Sequence, residues 1–233
     1  MTIIVPMWFY EFGSVMYFFA ALIGLLLSYF SFKLYNFTRK RQHLLLNLSF
    51  VFITIGFIIL AASNIYSILH FERCEPNCTI TQQHLSWILY GNYSYYITSA
   101  VGYLLFLLSY PIFKKKERKK LFLQIAPIFT FNVLFLQPIY VLYPFENAYF
   151  QPFHLLSAIL LFLIVIQTFG NYRKTKAKTR VAALVPIGFA AILFYHVLMF
   201  SIPFSPLFFA FAHLSLLIGF TSLLLMLVKV TRR

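Results

Sequence analysis

The residues of this chain best suited to chemistry are three histidines, His154, His196 and His213, set in otherwise apolar sequence. His196 and His213 stand on the two arms of one hairpin, either side of the turn "SIPFSP". One lies about six residues before the turn and the other about seven after it. At 1.5 Å per helical residue both therefore sit roughly 10 Å from it. Two imidazoles at one depth are expected to face one another or a shared guest. Their protonation is one trigger such a site could use. His154 opens the apolar segment just before this hairpin, from the same side.

Metal is a poor fit. No two of these histidines are spaced i, i+4 on one helix, and no carboxylate accompanies them within the apolar segments. An open zinc or copper site usually has more than this, so no metal ligand is assigned. Haem between His196 and His213 fits less well still. Its axial ligands approach from opposite faces, whereas hairpin neighbours pack about 8–10 Å apart.

Other polar groups gather at the same depth. Asn64, Tyr90, Asn92, Tyr93 and Gln137 fall in the same halves of their segments as the histidines, as do Glu11 and Tyr140. With His154, His196 and His213, the first five form the candidate ligand-binding set. Two plainer readings stay open. Such groups can simply bridge helices in lipid, at about 0.6 kcal/mol per bond. The run "LYGNYSYY" supplies hydroxyls and ring faces where an amphiphilic ligand could lie, but it would serve equally well as an interfacial aromatic belt.

The elements that position these residues follow from composition. Of 233 residues, 61% are hydrophobic, 21% aromatic and 10% charged, with a mean hydropathy of +0.83. A soluble domain carries about 25% charged residues. The chain is therefore read as one all-α integral membrane domain over residues 1–233. Seven segments approach the roughly 20 residues that cross a bilayer as a helix. They run approximately Phe12–Leu34, Leu44–Leu69, Leu85–Phe113, Leu121–Tyr143, Phe153–Gly170, Val181–Ile202 and Leu207–Val230. The first is expected to be retained, because it lacks a basic start and a small-residue cleavage site.

Charge orients the seven-transmembrane-helix bundle. All of the 19 lysines and arginines except Arg73 fall in connectors on one side, "KKKERKK" and "NYRKTKAKTR" among them. Basic residues near span ends stay cytoplasmic, so the N-terminus is expected outside and the C-terminus in the cytoplasm of a cell membrane. The positive charge then concerns the lipid bilayer, anionic lipids and a possible cytoplasmic protein partner, and excludes nucleic acid as the expected partner. The outer loop "HFERCEPNCTITQQH" holds Cys74 and Cys78, a candidate disulfide whose alternative is a metal or redox pair. It also holds the sequon "NCT" at Asn77.

Missing residues exclude several functions. The chain contains no Asp, and no lysine stands mid-helix in the last span. It resembles microbial opsins only in helix number and orientation, without the lysine and carboxylates a retinal proton pump needs. No nucleotide-binding loop, nucleophile elbow or carboxylate pair is present. A non-enzymatic protein without cofactor is expected.

Two further features bear on function. "ALIGLLLSYFSFKLYNFTRK" and "AILLFLIVIQTFGNYRKTKA" echo one another, and each leads into a span carrying "IGF", at Ile55–Phe57 and Ile187–Phe189. A 3+1+3 pseudo-repeat of the kind found in transporters would follow. The run "KLYNFTRKRQHLLLNLSFVFITIGFIILAASNIY" resembles the first hairpin of prokaryotic seven-helix sensor modules. In those modules a Tyr/Arg-containing basic turn re-enters as a Leu-rich helix. The resemblance implies a stand-alone receptor or sensor module, without a kinase or cyclase output domain, and carries over no functional residue. The alternatives are a small-solute transporter of two three-helix halves and a structural subunit of a membrane complex.

Overall fold

In lipid every backbone polar group must be satisfied within the chain, so apolar segments of this length form helices. The computed structural model describes residues 7–71, 82–109, 152–174, 180–202 and 207–232, with single residues at 127 and 205. Within them the chain forms six helices: α1 (Met7–Thr38), α2 (Arg41–Phe71), α3 (Gln82–Ser109), α4 (Pro152–Lys174), α5 (Arg180–Phe200) and α6 (Leu207–Thr231). Each coincides with an expected span to within about a turn and a half at either end. The expected span Leu121–Tyr143, with Gln137, and the loop holding Cys74 and Cys78 lie outside the described residues.

Five of the helices, all but α3, are long and apolar enough to cross a membrane. The chain is thus an all-helical, multi-pass membrane protein. The remaining helix, α3, spans 28 residues and owes its lower hydropathy to "GNYSYYITS". Those polar residues are largely turned inward: Tyr95, Tyr96, Ser99 and, one turn on, Tyr103 are buried. The lipid-facing surface is instead carried by groups such as Phe18, Leu25 and Tyr29 of α1 and Ile159, Phe162 and Ile166 of α4, which are exposed.

The helices pack as a closed ring in chain order, each against the next, with α6 returning to α1. α1 and α2 meet through Asn47, whose Nδ2 donates to the carbonyl and hydroxyl oxygens of Ser28, both at 2.8 Å. Their two-residue connection puts Arg39 in the left-handed region, at φ 54°, a helix-ending conformation usually left to glycine. α5 and α6 touch backbone to backbone at Gly188 and Gly219. A Cβ on Gly219 would lie 2.8 Å from the Gly188 carbonyl oxygen. Small residues let lipid-embedded helices approach in this way.

Neighbouring contacts set the directions. α1, α3, α4 and α6 start at one end of the ring, and α2 and α5 run back towards it. Every described lysine and arginine lies at the opposite end, in the α1–α2 turn or at the ends of α1, α4, α5 and α6. The one described acid, Glu11, is exposed near the starting end. Between the two ends lies a dry belt of phenylalanines. Phe50 meets Phe106 at 5.0 Å between ring centroids, Phe57 meets Phe220 at 5.8 Å and Phe106 meets Phe189 at 5.7 Å. All are edge-on or nearly so, the arrangement that ring quadrupoles favour.

Candidate functional site

Above the phenylalanine belt, towards the Glu11 end, the ring encloses a partly open cavity of about 220 Å3. Every helix contributes to its wall. α1 supplies Phe9, Tyr10 and Tyr17, α2 supplies Leu60 and Asn64, and α3 supplies Asn92, Tyr95 and Tyr96. His154 comes from α4, Tyr195, Met199 and Ile202 from the end of α5 and its turn, and Phe209 from α6. No described wall residue carries a formal charge if His154 is neutral. At the roughly 30 Å3 a water takes in the liquid, the space holds about seven water-sized groups.

His154 begins a buried hydrogen-bonded chain leading away from the cavity. Its Nδ1 lies 2.8 Å from Nδ1 of His196, and Nε2 of His196 lies 2.6 Å from the Tyr103 hydroxyl. The chain ties α4 to α5 and α5 to α3. Proton counting gives it a preferred direction. If Tyr103 donates to Nε2, His196 carries its hydrogen on Nδ1 and donates to Nδ1 of His154. His154 then keeps its own hydrogen on Nε2, the ring nitrogen left over on the cavity-lining residue. In the reverse direction the Tyr103 hydrogen loses its acceptor in the chain, so the first direction uses the donors better. Reversal would turn the left-over nitrogen of His154 from donor to acceptor. A second hydrogen on either Nδ1 would put two donors face to face and break the pair.

His213 stands apart from this chain. Its Nδ1 is 2.7 Å from the Phe209 carbonyl oxygen four residues earlier, so Nδ1 carries the hydrogen and donates. Its Nε2 is a buried acceptor without a hydrogen-bond partner among the described residues. Rings surround it: Tyr17 at 4.8 Å, Phe209 at 4.3 Å and Tyr195 at 5.8 Å between centroids. Tyr195 separates it from the histidine pair, and the Tyr195 hydroxyl lies 3.3 Å from that of Tyr95.

The expected site residues are therefore sorted by the fold. His154, Asn64 and Asn92 line the cavity. His196 and His213 are wholly buried behind its wall, and neither faces the other. The hairpin symmetry that suggested their pairing is broken by helix rotation, which turns His196 towards α4 instead. Tyr93 packs against the core, partly buried. Tyr90 is exposed on the outer surface, where it lines a separate groove between α2 and α3 with Trp87 and Ser63. Gln137, Cys74 and Cys78 are outside the described residues. Among the described residues no group of three His, Cys, Asp or Glu side chains is placed to hold a metal ion.

Sequence reasoning singled out none of Tyr17, Tyr103 and Tyr195, and took Tyr95 and Tyr96 only as part of "LYGNYSYY". A signal for some of them was present. Asn92, Tyr95, Tyr96, Ser99 and Tyr103 recur at i, i+3, i+4, i+7 and i+11, the spacing of a single helical face. Reading "LYGNYSYY" as a block rather than by helical period hid that stripe.

The chain matches no protein-family model, and no curated protein or solved structure is similar to it.

Proposed function

We propose that this protein is a non-enzymatic seven-span receptor or sensor module of the cell membrane, N-terminus outside and C-terminus cytoplasmic. It takes a small ligand into the outer cavity and passes the change to a cytoplasmic partner by small helix shifts. The observation that carries this reading is the position of His154. It lines the cavity and is also the first member of the chain joining α4, α5 and α3. A guest that takes or releases a hydrogen bond at His154 alters the bonds that set the spacing of three helices.

Two features support the topology. The basic residues crowd one end of the ring, as the positive-inside rule requires of a cytoplasmic face. In addition, α3 and α4 are successive described helices that run in the same direction. A seven-span topology, with the expected fourth span between them in sequence, would give these two helices that shared direction.

A transporter is the second reading, and ring symmetry favours it. α2 reaches α6 through Phe57 and Phe220, and α5 reaches α3 through Phe189 and Phe106. These two contacts exchange if α1–α3 and α4–α6 are related halves. The buried phenylalanines Phe50, Phe57, Phe106, Phe189 and Phe220 between the cavity and the basic end weigh against it.

The test is detergent-free purification from native membrane followed by mass spectrometry of co-purifying small molecules. The wild-type protein should retain one that His154→Leu loses while keeping its helical circular dichroism. Equal retention by the variant would overturn the receptor reading. Solute flux in proteoliposomes would favour the transporter.

A further inference from the structure

The chemistry of the cavity wall is narrower than that of a general amphiphile site. Among the described wall residues seven are Phe or Tyr, contributed by α1, α3, α5 and α6, and none is a carboxylate, a lysine or an arginine. We propose that the cavity is an aromatic cage for a small organic cation of the quaternary ammonium type. This rests on the cavity being a ligand site and names the ligand class.

Aromatic rings present electron-rich faces, and a cation within about 6 Å of several of them is held without any counter-ion. The attraction grows when water is excluded, and the four wall tyrosines Tyr17, Tyr95, Tyr96 and Tyr195 are all buried at 6% exposure or less. The lack of a carboxylate among the described wall residues favours one kind of cation. A primary ammonium brings three N–H donors, each of which needs an acceptor once out of water. A quaternary ammonium brings none, since its charge is spread over methyl groups that pack as apolar surface. The volume of about 220 Å3 suits such a head with a short tail. His154, in the preferred direction of its chain, has an N–H for an oxygen on that tail.

Long-range charge points the same way. Every described lysine and arginine sits at the far end of the bundle, whereas Glu11 is exposed one residue after the wall residue Tyr10. A cation approaching the cavity finds an acid at this end and no described lysine or arginine.

The protein supplies its own reporter. Trp8 stands at the rim, its ring centroid 4.3 Å from Phe9 and 6.2 Å from Phe209, both of them wall residues. The only other tryptophan is Trp87, which lies on the outer groove. Trp87→Phe therefore leaves a single emission that senses the cavity. The probes are choline, tetramethylammonium and 3,3-dimethylbutan-1-ol, the uncharged isostere of choline, titrated against protein in lipid nanodiscs at constant ionic strength. Choline and tetramethylammonium should shift Trp8 emission saturably, and the isostere should bind at least tenfold more weakly. Tyr195→Phe should keep most of the choline affinity, while Tyr195→Leu should lose at least tenfold. Tyr95→Phe and Tyr95→Leu repeat that contrast if the first leucine variant fails to fold.

Equal affinity for choline and the isostere would overturn the cage and leave a site for neutral amphiphiles. No response to any of the three also overturns it. The receptor reading is untouched by either result, since it is judged by the molecule retained or lost in His154→Leu.

Discussion

Deleting the Tyr103 hydroxyl asks whether the buried chain is an energetic unit or only a set of near neighbours. The hydroxyl lies 2.6 Å from His196 Nε2, and both side chains are buried. Tyr103→Phe removes that bond, leaves the ring in place and strands His196 Nε2, at a cost of about 1–3 kcal/mol. His196→Leu removes the same bond and also strands His154 Nδ1, which sits 2.8 Å from His196 Nδ1 in the intact protein. Each stranded buried group costs about 1–3 kcal/mol, so this variant should lose about 2–6 kcal/mol.

In the double variant the Tyr103–His196 bond is lost once, not twice. The sum of the single losses must then exceed the double loss by the coupling energy of that bond. Interhelical bonds in membranes couple by about 0.6 kcal/mol on average and about 1.7 at most. A short bond between two buried groups belongs in the upper part of that range, about 1–1.7 kcal/mol. The assay is reversible unfolding by sodium dodecyl sulfate from mixed micelles, followed by far-ultraviolet circular dichroism on all four proteins. Single losses that add to the double loss within about 0.3 kcal/mol would refute the reasoning, because uncoupled sites behave in that way. The link proposed between cavity and helices would fall with it.

Further outcomes follow from other contacts. Gly219→Ala should destabilise the protein by about 1–3 kcal/mol, because its Cβ would meet Ile192 Cγ1 at 2.7 Å and the Gly188 carbonyl oxygen at 2.8 Å. Gly170→Ala, where a Cβ meets nothing within 4 Å, should be neutral or stabilising by up to about 1 kcal/mol. A shared loss in both would contradict the packing at the α5–α6 crossing. Asn47→Leu should cost about 1–2 kcal/mol through its two bonds to Ser28, and Ser28→Ala about half of that, both read from the same unfolding curves. For topology, in a background with Cys74→Ser and Cys78→Ser, a cysteine at Lys40 should resist an impermeant maleimide in intact cells and react after lysis. A cysteine at Glu11 should react in both, and the opposite pattern would invert the bundle.

Much of this architecture was written in the order of residues. The membrane class follows from having too few charges to cover a soluble surface. Helix positions follow from runs of apolar residues whose backbone can pair only with itself in lipid. The gathering of basic residues at one end is a property of connectors, and connectors are local in sequence. Each of these needs only nearby residues, so each was legible.

Which faces turn inward was not. Spans such as α5 and α6 are apolar on every side, and a helix without a polar face carries no pattern that says which stripe meets a neighbour. His196 and His213 stand at matched depth on one hairpin, yet rotation about two helix axes sends one to His154 and Tyr103 and leaves the other among rings. The partners of His196 lie 42 and 93 residues away in the chain. The cavity is likewise a product of the closed ring, since its walls come from all six described helices. Depth along a helix is counted from the sequence, but azimuth is decided by packing, and the candidate site depends on azimuth.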